Sequence, residues 1–110
     1  MRVPNADKAF IDMRKLAEYS LDPTHNVGKN KAMVFAKVLG LTQSDASELA
    51  EALMLAITNL EAEPGKLDRF GQRYVIDFEM ARESRSAMIR SVWIVDNGQD
   101  HPRLVTCFVL

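Results

Sequence analysis

From Tyr74 to Met80 the chain alternates with a period of two: Tyr74, Ile76, Phe78 and Met80 share one parity, Asp77 and Glu79 the other. A β-strand sends successive side chains to opposite faces, whereas a helix would scatter this pattern around its circumference. Two later runs, Ala87–Val95 and Arg103–Leu110, are rich in β-branched and aromatic residues. Asp96–Pro102 between them is a turn cluster, and Ala81–Ser86 reads as a polar connection. Connections this short join antiparallel neighbours, because a parallel return needs a crossover of about a dozen residues. The pattern predicts strands over Arg73–Met80, Ala87–Val95 and Arg103–Leu110, a meander of at least three.

The preceding residues carry helical periods. Ala9-Phe10-Ile11 reads as extended, and Asp12 is placed to cap a helix that runs to Leu21 and stops before Asp22-Pro23, since the residue before proline avoids the α region. After a polar loop, Lys31–Leu39 sets Ala32, Phe35, Ala36 and Leu39 on one stripe, with Gly40 as the stop. Thr42 and Asp45 form a capping box for a third helix to Leu60, whose Ala46, Leu49, Ala50, Leu53, Ala56, Ile57 and Leu60 recur every three or four positions. Glu61–Lys66, with Pro64-Gly65, reads as the connection that closes the helical half. Helices followed by strands predict one α+β domain over residues 1–110, its N-terminal helices packed on one face of a C-terminal antiparallel sheet. The expected core is Phe35, Leu49, Leu53, Ile57, Tyr74, Ile76 and Phe78, with the third helix across the sheet.

Composition narrows the function classes. A net charge of −1 provides no global positive field, so any nucleic-acid site must be a local patch. The one cysteine, Cys107, lies in an apolar run and reads as a buried small hydrophobe. No stretch reaches the roughly 18 apolar residues of a membrane helix, and the N-terminus has no signal-peptide core. No membrane association and a cytoplasmic setting are therefore expected. His25 and His101 lie far apart, outside any ligand cluster of familiar spacing, so neither metal nor cofactor is expected.

Three stretches can carry chemistry. His25, Gly28, Lys29 and Lys31 surround a helix N-terminus, where free amides and the helix dipole favour an anion; the same charges equally suit a solvated loop. Arg90-Ser91 lies mid-strand among apolar neighbours, so Arg90 needs either a substrate anion or an acid, and Asp77 or Glu79 on the preceding strand can supply the acid. Parity separates Arg90 from Trp93 and puts Ser91 on the tryptophan's face. Arg103 and Thr106 mark the last strand, where Thr106 is either ordinary strand filler or a donor to a phosphate oxygen.

These residues resemble a small bacterial family of unknown function. The likeness rests on Lys15-Leu16 with Tyr19 and Leu21, Gly28-Lys29 with Lys31-Ala32 and Phe35, and Leu39-Gly40-Leu41. It continues through Gly71, Arg73-Tyr74 and Asp77-Phe78, then Arg90-Ser91 with Trp93-Ile94-Val95, then Pro102-Arg103-Leu104 and Thr106, in order along nearly the whole chain. Such domains look like C-terminal modules of bacterial polymorphic toxins, and like stand-alone toxins encoded beside a small antitoxin or immunity-like partner. Helices followed by a sheet are similar to the barnase, EndoU, colicin and RelE group of metal-independent ribonucleases. The resemblance implies RNA as substrate, Arg90, Lys31 and Thr106 in catalysis, and Lys29, Ser91, Arg73 and Arg103 in substrate binding; His25 is the acid–base candidate because imidazole titrates near neutral pH. The chain departs from that group in having no His/Glu or His/His pair at a catalytic spacing. Two other readings stay open: a non-catalytic protein-interaction module, and an inactive relative that still binds RNA.

Overall fold

A computed structural model describes residues 1–110. A 3₁₀ turn at Ala6–Lys8 precedes α1, Met13–Lys15, which continues as a π-helical turn over Leu16–Ser20. Then come α2, Lys29–Leu39; a 3₁₀ turn at Gln43–Asp45 leading into α3, Ala46–Asn59; and β1, Glu63–Asp68. The chain closes with β2, Gly71–Arg82, β3, Arg85–Asp96, and β4, Arg103–Val109. All neighbours in the sheet are antiparallel, in the order β1-β2-β3-β4. The α+β architecture with N-terminal helices against a C-terminal meander is the one predicted.

Local chemistry accounts for the helix boundaries. Asp12 accepts a bond from the Arg14 amide at 3.0 Å, the N-cap its position indicated. Gly40 terminates α2 at φ 69°, the left-handed conformation that glycine adopts without a Cβ penalty. Thr42 and Asp45 form the capping box that starts the third helical segment. At Gly28 the constraint is space: a Cβ there would meet the Tyr19 carbonyl oxygen at 2.5 Å.

The strand alternation holds: Tyr74, Ile76, Phe78 and Met80 are buried against the helices, and Asp77 and Glu79 are exposed. All seven expected core residues are buried, with Leu16, Leu39 and Trp93 beside them. Phe10 extends alongside Arg103, taking a bond from the Leu104 amide and donating one to Pro102, so the N-terminal segment covers part of the free edge of β4.

Three expectations need correction. Glu61–Lys66 is not merely a connection: Glu63–Asp68 forms the edge strand β1. Pro64 hid it, yet a proline is tolerated on an edge strand beside a bulge, and the register shifts between Pro64 and Leu67. Ala81–Ser86 is not a loop but a tight hairpin, with Arg82 opposite Arg85 and Glu83 at φ 58°. Ala36 and Leu60 leave the core stripe: Ala36 is exposed, and Leu60 lies past the end of α3 in extended conformation.

Candidate functional site

The helices cover one face of the sheet and leave the other open. Cross-strand pairing lays out that open face in rows. Asp77, Arg90 and Phe108 form one row; Val75, Val92 and Thr106 the next; Arg73, Ile94 and Arg103 the third. A register shift between Val92 and Trp93 sets the alignment of β4, so Leu104 enters the core while Thr106 stays outside. The result is a half-buried valine pair flanked by arginines on both sides.

Arg90 holds Asp77 in a fork: Nε donates to Oδ1 and Nη2 to Oδ2, each at 2.9 Å. These bonds keep the Asp77 carboxyl below the usual carboxylate range and raise Arg90 further. The arginine side chain is nevertheless 42% exposed. A guanidinium carries five N–H donors, and Asp77 occupies only two of them. Beside this pair, the Lys31 ammonium reaches from α2 to within 4.7 Å of the Phe108 ring centroid, a cation–π contact. Phe108 is the cross-strand neighbour of Arg90, and Thr106 lies two residues along β4 on the same face. Arg90 and Thr106 are thus backbone neighbours of Phe108 on the open face, and Lys31 reaches its ring, while the Arg90 guanidinium itself turns to Asp77 on the other side.

The third row has a different character. Arg103 grips Asp96 through Nε at 2.6 Å and Nη2 at 3.1 Å, and Arg73 reaches Asp68 at 3.2 Å. Arg103 holds Asp96 below its ordinary range; for Asp68 the Phe70 amide is the main cause and Arg73 adds to it. Ile94, between the two arginines, is buried although it lies outside the main core cluster. Arg73 and Arg103 stand four β3 positions from Arg90, on the order of 13 Å at about 3.3 Å per residue, and form a second group.

The other expected residues lie elsewhere. Ser91 is in the core rather than at a substrate surface: it is fully buried, donates to the Ile76 carbonyl at 2.9 Å and accepts from Trp93 Nε1 at 2.9 Å. Its parity with Trp93 sends it inward, and both hydrogen-bonding roles are used. Lys29 and Lys31 do not form one anion site, because positions two apart on a helix diverge; Lys29 is exposed at the start of α2 while Lys31 turns to Phe108. His25 stays within its own loop, its Nδ1 accepting from the Val27 and Gly28 amides at 3.0 Å each and its ring edge-on to Tyr19. That acceptor role places the neutral ring's proton on Nε2. No group of three or more His, Cys, Asp or Glu side chains stands together as a metal donor set. Burial pushes the Cys107 thiol up to about 12, which makes it inert. No helix is long and apolar enough to cross a membrane.

Sequence reasoning passed over Phe108, whose place in an apolar run concealed its contact with Lys31. It also passed over Arg82, which binds Glu48, Asp45 and the carbonyls of Leu39 and Gly40, tying the β2–β3 hairpin to the α2–α3 junction.

The chain belongs to a family described as a domain of unknown function, DUF6883, whose model matches residues 2–110. No curated protein is significantly similar to it in sequence. Among solved structures, it is similar to a chain of the contact-dependent growth inhibition toxin–immunity protein complex from Klebsiella pneumoniae 342. The TM-score is 0.70 at 17% identity, over 91% of this chain and 98% of that one. At that identity the likeness concerns the fold.

Proposed function

We propose that this DUF6883 domain is a toxin-type module that cleaves RNA without a metal and is restrained by a small protein partner. The observation that carries the reading is that Arg90, Thr106 and Phe108 are neighbours on the open face of the sheet, with Lys31 over the Phe108 ring. Its fold likeness to a chain from a toxin–immunity protein complex supports it. Cleavage through a ribose 2′-hydroxyl develops charge on the phosphorane oxygens, and fixed donors aimed there lower the barrier most. Arg90 fills that role, because Asp77 orients its guanidinium yet leaves three of its donors free. Thr106 adds a hydroxyl donor, while Phe108 and Lys31 offer a stacking surface and a cation for the adjoining nucleotide. Asp77, held ionised by Arg90, is a weak base. His25 supplies no proton relay in this reading, because its Nδ1 is engaged by two loop amides and its Nε2 already carries the ring proton. Solvent water carries the protons, and Arg73 and Arg103 contact the flanking backbone.

One observation favours the second reading, a non-catalytic interaction module: each strand arginine of the open face is paired with an aspartate. Incubation of partner-free protein with total RNA and with tRNA in excess EDTA separates the two. Discrete cleavage is expected; intact RNA after prolonged incubation with folded protein would put the interaction module ahead.

A further inference from the structure

Because β1 is short, it pairs with β2 only as far as Val75, while β2 runs on to Arg82. The remaining edge of β2 borders a groove whose opposite wall is α3. The hairpin fixes which backbone groups face that groove. Arg82 and Arg85 close a two-residue turn and bond to each other, so alternation turns Asp77, Glu79 and Ala81 away from β3. No turn or loop bond engages their amides or carbonyls. The groove floor is apolar, formed by Ala52, Leu55 and Leu60 of the helical side with Phe78 and Met80 of the strand. Leu55 is 66% exposed there. Glu79 on the strand and Glu51 on the helix are exposed carboxylates at its rim, and neither takes part in an ion pair.

We infer that the Asp77–Ala81 edge of β2 is a docking site for an extended, basic segment of a partner protein, which adds to the sheet as a further strand. An added strand would supply the partners that the outward backbone groups lack. Its side chains would alternate: one set enters the groove against Leu55 and Leu60, the other stands beside Glu79 on the open face. The occupant is thereby defined as a segment of about five residues alternating apolar with lysine or arginine, selected by the unpaired Glu79 and Glu51 rather than by sequence-independent stickiness. An uncovered strand edge with an apolar flank is otherwise an aggregation hazard. The inference stands apart from the ribonuclease reading, because the groove lies on the β1 side of the sheet and Phe108 lies on β4.

The test uses a capped peptide of alternating valine and lysine, titrated into the full chain while amide exchange is followed residue by residue. A control peptide carries the same residues with its valines and lysines in two blocks. Binding of the alternating peptide is expected, with slowed exchange at Glu79 and Ala81. Affinity should fall at least tenfold in Leu55→Asp and in Glu79→Lys, both exposed positions where the change leaves the fold intact. Equal binding of the block peptide, protection confined to another edge, or no binding at millimolar peptide would overturn the proposal. So would self-association of the chain through β2, which would make a second copy the occupant.

Discussion

Arg90 and Asp77 stand directly opposite one another on β3 and β2, joined by two parallel hydrogen bonds of 2.9 Å. The pair has two meanings, and the geometry bears on both. A surface ion pair contributes little to stability, because water screens it. A fork of this kind still fixes the plane of the guanidinium, and the remaining donors of Arg90 are left facing the open side of the sheet. Arg82 provides the contrast. Its Nε and both terminal nitrogens are engaged by Glu48, Asp45 and the end of α2, which takes up four of its five N–H donors, so it serves as a fastening.

Leu53 is the centre of the stripe that α3 turns toward the sheet, and it is completely buried. Leu53→Ala should lower unfolding free energy by about 2–5 kcal/mol, as deletions in close-packed cores do. Chemical denaturation with a common slope for both proteins measures it.

Ser91→Ala distinguishes a core hydroxyl from a substrate-binding one. The change removes the bond to Ile76 and strands the Trp93 indole N–H without a partner, which should cost about 1–3 kcal/mol. Under conditions where the variant is fully folded, RNA affinity should equal that of the unaltered protein. A drop in affinity without a drop in stability would contradict the core assignment.

Much of the fold was legible because its signals are local. The period of two in β2, the Thr42–Asp45 capping box and the Gly40 stop each act within a few residues, and each recurs in the structure. β1 was not legible, since all but one of its residues are exposed and its Pro64-Gly65 pair imitates a turn. The candidate site was legible only in part. Parity set Arg90 apart from Ser91 and Trp93, and Asp77 was foreseeable as its acid. The face occupied by Thr106 depends on a bulge in the β3–β4 register, which strand propensity does not encode. Lys31 meeting Phe108 depends on how α2 lies against the sheet, a tertiary fact.

Arg82→Ala should lower the melting temperature and speed amide exchange at the β2–β3 hairpin and at the α2–α3 junction together. One side chain fastens both places, so both should loosen at once. Lysine at this position should recover only part of the loss, because it lacks the planar fork. Loosening of the hairpin alone would show that the junction is held by other contacts.

Acid should destabilise the protein in a defined window. Hydrogen bonds from Arg90 and Arg103 depress the Asp77 and Asp96 carboxyls. Their folded pKa values lie below the unfolded ones, so this stabilisation is present above about pH 4 and is lost as pH falls through the folded values. The melting temperature should therefore decline below about pH 4. Asp77→Asn should flatten that decline, whereas an unchanged slope would mean that the Arg90 pair forms no better in the folded chain than in the unfolded one.

The most direct measurement compares tRNA cleavage by the unaltered protein, Arg90→Ala and Asp77→Ala, each partner-free and in excess EDTA. If Arg90 holds the developing phosphorane charge, its loss should slow cleavage by about a hundred- to thousandfold. Asp77→Ala should then retain far more activity, since the cation survives without its tether. Equal rates in Arg90→Ala and the unaltered protein would contradict the account and reduce Arg90 to half of an ion pair in the sheet.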